Sequence, residues 1–198
     1  MKIKFSLLFL LIFPTILFAQ NADIDLLRKI NLGRNKNLDN TFINISNSAT
    51  PISILVPVTV FCRGLDEGDS LTKNKGLFIG ATLLVSSAVT FGLKYSLNRP
   101  RPFTSYSFIN KVGSGGSPSF PSGHTSAAFS TATSLSLAFP KWYIIAPSYL
   151  WACAVGYSRM DLGVHYPSDV LAGAIVGVGS AFICAKANLW LYKRMGKK

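Results

Sequence analysis

"GLFIGATLLVSSAVTFGLKYSLNRPRP", residues 76 to 102, carries no charged side chain before Lys94 and then sets three cations, Lys94, Arg99 and Arg101, in eight positions. An α-helix rises about 1.5 Å per residue, so the apolar run 76–97 would reach roughly 33 Å, enough for the hydrocarbon core of a bilayer. The stretch therefore predicts a membrane-crossing helix that ends in a basic patch at one membrane face. Charged groups at such a depth are costly and tend to be kept for function.

The rest of the chain supports a membrane class. Of its 198 residues 49% are hydrophobic and only 14% charged, and the mean hydropathy is +0.35. Four further runs are long and apolar enough to cross: 43–62, 120–139, 142–158 and 170–192. The run 43–62 is weakened by Ser46, Asn47 and Ser48, and 142–158 contains Pro147; with 76–97 as run two, the five are numbered in chain order. In the last run Gly173 and Gly177 stand four apart, a spacing that lets two helix backbones approach in lipid. Ser126, Ser130, Thr131, Ser134 and Ser136 should face the bundle interior. One domain is expected: an all-α integral membrane bundle of about five to six helices over residues 43–198.

Ahead of it, "MKIKFSLLFLLIFPTILFAQNAD" has the layout of a secretory signal peptide over residues 1–20, with Lys2 and Lys4 before the apolar stretch and a cleavage site near Ala19 or Gln20. Retention as an anchor is the alternative. Residues 21–42 read as an external arm or an amphipathic interfacial helix, on the spacing of Ile24, Leu26, Leu27, Ile30 and Leu32. The segment "GSGGSPS" at 113–119 reads as a flexible loop by composition. Cys62, Cys153 and Cys184 are odd in number, far apart and set in apolar runs, which suggests packing residues rather than a disulfide framework or a zinc site.

With 20 Lys and Arg against 8 Asp and Glu, the formal charge of +12 suits nucleic acid, an anionic membrane surface or a phosphorylated substrate. In a membrane chain much of that excess belongs to the cytoplasmic flanks of helices. No nucleic-acid partner is therefore expected. Counting crossings from an external N-terminus puts the tail "YKRMGKK" in the cytoplasm, in agreement with its four basic residues. The same count brings the end of run two, the start of run three, the end of run four and the start of run five to the external face.

The unusual polar residues sit at those four ends. Lys94, Arg99 and Arg101 follow run two, Pro121-Ser122-Gly123-His124 opens run three, and "SRMDLGVHYPSDV", from Ser158 to Val170, joins runs four and five. Singly, each cation reads as a lipid anchor, His124 as a helix-end histidine and Asp169 as a helix cap. Together they form a site. Lys94, Arg101 and Arg159 can neutralise phosphate oxygens, and backbone N–H groups of Ser122, Gly123 and His124 at a helix start can point at an anion. One imidazole can attack phosphorus if a carboxylate holds its other nitrogen, and Asp169 lies four residues after His165. The other imidazole can protonate the departing oxygen.

Lys94-x6-Arg101-Pro102, Pro121-Ser122-Gly123-His124 and Ser158-Arg159-x5-His165-x3-Asp169 resemble, in order and spacing, the three-part signature of the type 2 phosphatidic acid phosphatase (PAP2) superfamily. The resemblance covers residues 94 to 169 by motif. It implies a helical bundle and a metal-independent hydrolysis through a phosphohistidine, with no cofactor. His165 would be the nucleophile, Asp169 its orienting partner and His124 the acid. Lys94, Arg101, Ser122, Gly123 and Arg159 would hold the phosphate. Soluble acid phosphatases and vanadium haloperoxidases share this signature but do not need long apolar runs, so the membrane branch fits. The expected substrate is a lipid phosphate or diphosphate of the undecaprenyl diphosphate, phosphatidylglycerol phosphate or phosphatidic acid type. Lipid A is the rival substrate. A non-catalytic protein that binds anionic lipid would explain the charge but not His124 or the His165–Asp169 spacing. The expected location is a bacterial cytoplasmic membrane, with the site facing outward.

Overall fold

The computed structural model describes residues 22–195, with side chains to residue 190; the signal peptide expected over 1–20 lies outside the described residues. Helix α1 covers 22–32. It is followed by α2 (Asp39–Asn47), α3 (Ala49–Asp66), α4 (Ser70–Leu97), the single turn α5 (Pro102–Ser105), α6 (Gly123–Ala138), α7 (Trp142–Asp161) and α8 (Pro167–Met195). Among the described residues there is no strand. Each of the five apolar runs coincides with a long helix, and the first is divided at Ser48, where its polar triplet falls. There Ser48 donates to the Ile45 carbonyl at 2.7 Å and accepts from Trp151 Nε1 at 3.0 Å, so the joint is pinned to α7.

Among the described residues, three segments have the length and apolar composition of membrane spans: Lys36–Asp66, Ser70–Ser105 and Pro167–Trp190. Helices α6 and α7 fall short for a physical reason. With 16 residues α6 is the hub of the bundle, packed against α3, α4, α7 and α8, and so is lined by protein rather than lipid. Buried hydroxyls are then tolerable because neighbours satisfy them. Ser126 is bonded to Ser86 at 2.7 Å and to Thr90 at 2.8 Å, and Ser134 donates to the Ser130 carbonyl at 2.7 Å.

Close backbone contact sets the register. A Cβ at Gly173 would lie 2.6 Å from the Ser122 carbonyl oxygen, and one at Gly177 would lie 2.5 Å from that of Ser126, so α8 rests directly on α6. The pair α3 and α4 behaves differently along its length. A Cβ at Gly64 would meet Lys73 N at 2.2 Å and one at Gly76 would meet Phe61 N at 2.6 Å, whereas farther from the connecting turn an open space lies between Ser53 and Ile54 of α3 and Leu83, Ser87 and Phe91 of α4. The two helices are pressed together near that turn and part toward the other end.

Helix α1 packs against the α5 region and the connection between α7 and α8. Ile24 and Leu27 are buried with Ile109 and Tyr166, while Leu26 and Leu32 are exposed. The buried Asn31 amide donates to the carbonyls of Asn110 at 3.0 Å and Asp161 at 2.8 Å, and its oxygen accepts from Asn110 N at 2.8 Å. The cysteines depart from expectation. Cys62 and Cys153 are exposed and Cys184 is half-buried, all unpaired, so they occupy outer helix surfaces rather than the interior. An apolar run in a membrane bundle is apolar on its lipid side too, which is why burial cannot be read from the run alone.

Candidate active site

Where α3 and α4 part, a cavity of about 520 Å³ opens, lined between the two helices by Ile54, Leu83 and Phe91 and toward the helix ends by Lys94, Arg101, Gly123, His124, Arg159 and His165. Chain ends deliver these groups. Asn98 caps α4 in the left-handed conformation (φ 42°), with its N–H on the Lys94 carbonyl at 2.9 Å, and so turns the chain sharply toward Arg101. Asn is among the few residues that tolerate this region.

His165 lies in the short connection between α7 and α8 and is almost fully buried. Its Nδ1 faces Asp169 Oδ2 at 3.4 Å, with Ser119 Oγ at 3.5 Å, which leaves Nε2 on the cavity side of the ring. Burial pushes the imidazole well below its ordinary pKa, against the opposing hydrogen bond from Asp169, so the ring is neutral at neutral pH. Asp169 is itself heavily committed. It accepts from Ser119 Oγ, from Tyr166 N at 3.0 Å and from Arg99 at 2.7 Å. Arg99 also binds Asp23 of α1 at 2.8 Å, and Asp23 accepts from Ser168 N at 2.8 Å. The imidazole of His124, by contrast, makes no hydrogen bond with the described residues, although it lines the same cavity.

The three cations share one scaffold. Lys94 Nζ donates to the Pro118 carbonyl at 2.6 Å, Arg101 Nε to that of Ser117 at 2.7 Å, and Arg159 Nη2 to that of Ser114 at 3.0 Å. Arg101 adds the Val164 carbonyl at 3.0 Å, and Arg159 adds Ser46 Oγ. Arg159 Nε is buried without a partner among the described residues. The segment 113–119, which by composition reads as a flexible loop, thus orients every one of these cations through backbone carbonyls.

Of the residues singled out in the sequence, the cavity gathers Lys94, Arg101, Gly123, His124, Arg159 and His165. Asp169 stands behind His165. Ser122 does not reach the cavity. It is fully buried, its N–H is committed to the Asp169 carbonyl at 3.0 Å, and its hydroxyl, which accepts from Thr125 at 2.8 Å, is enclosed away from the cavity. It does not cap α6 with its side chain either, and the anion-facing start of α6 falls to Gly123 and His124. Sequence reasoning placed Arg99 in the basic patch without giving it a role, and missed Ser119 and Asp23. Ser119 lies in the segment read as a flexible loop, two positions before the Pro121–His124 motif; Asp23 had no signal beyond its charge.

Fold and cavity together define a helical membrane protein with a phosphatase-type anion site. Residues 75–193 match the model of the PAP2 superfamily, and the chain belongs to that superfamily. It is 26% identical over 149 residues to the undecaprenyl-diphosphatase BcrC of Bacillus subtilis, covering 75% of this chain and 74% of that protein. With the lipid A 1-phosphatase of Rhizobium etli it shares 32% over 109 residues, 52% of this chain and 45% of that longer relative. The crystal structure of LpxE from Aquifex aeolicus superimposes with a TM-score of 0.74 at 30% identity, covering 83% of this chain and 95% of that one.

Proposed function

We propose that this chain removes a phosphate group from a membrane lipid through a phosphohistidine on His165. The observation that carries this is the ring of His165, held at Nδ1 by Asp169 and presenting Nε2 to a cavity bearing Lys94, Arg101, Arg159 and His124. Nε2 attacks phosphorus. The bond from phosphorus to the lipid oxygen breaks, its electron pair goes to that oxygen, and protonated His124 supplies the proton. Water then attacks the phosphohistidine, His124 takes its proton, and the phosphorus–Nε2 bond breaks to return neutral His165 and inorganic phosphate. The cations stabilise charge on the phosphoryl oxygens in both steps, so no metal is required.

The apolar part of the cavity, between the parted α3 and α4, suits a lipid tail. Undecaprenyl diphosphate ranks first among substrates, supported by the relative that spans three quarters of this chain. Lipid A is the second reading, supported by the Rhizobium enzyme. The protein is then placed in a bacterial cytoplasmic membrane with the site facing outward, where both lipids present their phosphates. Its partners are the lipid substrate and the membrane.

The test is phosphate release by detergent-solubilised protein in EDTA from undecaprenyl diphosphate, phosphatidylglycerol phosphate, phosphatidic acid and lipid A, beside His165→Ala. Release that survives EDTA and vanishes in the variant is expected. Chelator inhibition that added metal reverses would sink the metal-free mechanism, and a fully active His165→Ala would remove the nucleophile assignment.

A further inference from the structure

The reaction has two kinds of traffic. A lipid comes and goes on the apolar side, between α3 and α4, but each turnover also consumes a water and makes an inorganic phosphate. That anion carries between one and two negative charges near neutral pH, and an apolar route would be prohibitively costly for it. Water and phosphate therefore need a polar route.

A second depression, of about 490 Å³, lies on the other side of the 113–119 segment, between it and residues 98–104. The two spaces share Arg101, Gly115, Gly116 and Ser117. On the second side the rim residues Asn98, Pro100, Thr104 and Gly116 are exposed. The partition is one backbone layer thick. At Gly115 it is pressed onto the guanidinium, where a Cβ would stand 2.2 Å from Arg101 Nη1, whereas a Cβ at Gly116 would meet nothing within 4 Å. Arg101 Nη2 reaches across this layer only to Ser117 Oγ, at a long 3.4 Å.

We propose that this second depression is the door for water and inorganic phosphate, separate from the lipid opening, with Arg101 as the anion ligand shared by both sides and Gly115-Gly116 as its wall. This rests on the phosphatase reading above. Phosphate leaving His165 passes from the inner to the outer side of one guanidinium without losing its countercharge, and the lipid never blocks its exit. Glycine at 116 keeps the doorway clear.

The experiment fills the doorway from Gly116, which is exposed and outside the catalytic groups. Gly116→Ala, Gly116→Leu and Gly116→Trp add increasing bulk in open space at a position whose φ is not left-handed. Rapid-quench measurements follow dephosphorylated lipid and free phosphate separately, and orthophosphate is tested as an inhibitor. The parent-like Ala variant, an unchanged first-turnover burst of lipid product in all three, and steady-state phosphate release falling in order of bulk to about one tenth in Trp are expected. Orthophosphate association should slow in the same order. Parent-like release and inhibition in Gly116→Trp would overturn the door, as would a burst slowed as much as release, which marks a disturbed site. If the parent itself releases no phosphate from any lipid, the phosphatase reading fails first and this one with it.

Discussion

The two histidines face one cavity from opposite conditions. His165 is enclosed, with Asp169, Ser119 and the Tyr166 N–H forming one fixed cluster around its Nδ1 side, and Arg99, itself held by Asp23 of α1, bracing that cluster. His124 stands at the start of α6 with no hydrogen bond on its ring. A nucleophile gains from one fixed tautomer and orientation, because positioning supplies much of the rate. A group that gives a proton in one step and takes one in the next gains from carrying no standing partner. The difference in support thus mirrors the proposed difference in role.

This contrast can be broken by substitution. His165→Ala should cost the most, on the order of 10⁵-fold in turnover with the bundle still folded, as for removal of other covalent nucleophiles; single-turnover assays with labelled lipid would show it. Asp169→Asn should cost about 10³-fold or more, because the wrong tautomer follows when the orienting carboxylate is lost. An effect under about tenfold would mean that Ser119 alone is enough to hold the ring. His124→Ala should cost about 10²-fold on a lipid phosphomonoester such as phosphatidic acid, whose alkoxide must be protonated, and far less on an aryl phosphate, whose leaving group needs little protonation. Equal losses on both would remove the acid role and with it the contrast.

Smaller effects sharpen the picture. Asp23→Asn removes one charged partner of Arg99 and should lower kcat about fivefold with KM unmoved, the worth of one hydrogen bond of roughly 1 kcal/mol. A shift in KM alone would place Asp23 at the substrate. The pH profile should move least. Because burial lowers the His165 pKa, its ring stays neutral as pH falls through the ordinary imidazole value near 6.5. The acid limb of kcat/KM should therefore begin below that value, and a limb centred near it would show the ring more hydrated than the structure has it.

The sequence made legible what is repeated along a helix or fixed by short spacing. Five apolar runs became five helices, Gly173 and Gly177 became a backbone contact, and His165 with Asp169, one helical turn apart, became a pair. What it hid was long-range or carried by the backbone. Asp23 meets Ser168 and Arg99 across most of the chain, and no local pattern announces such a contact. The 113–119 segment has the composition of a linker because its side chains, Ser119 apart, do little; its carbonyls, which every residue possesses, hold Lys94, Arg101 and Arg159. Ser122 misled for the converse reason, since a hydroxyl at a helix start invites a capping or anion-binding role that packing has assigned elsewhere.

A segment read through its carbonyls obeys different rules of variation from one read through its side chains. Between Ser114 and Pro118 the letters other than Gly115 and Gly116 are free to drift, because any residue offers the same oxygen. Length is not free. Deleting or inserting one residue would shift three acceptors past three cations at once, so this stretch should be read in relatives, and redesigned, by its number of positions rather than by their identity.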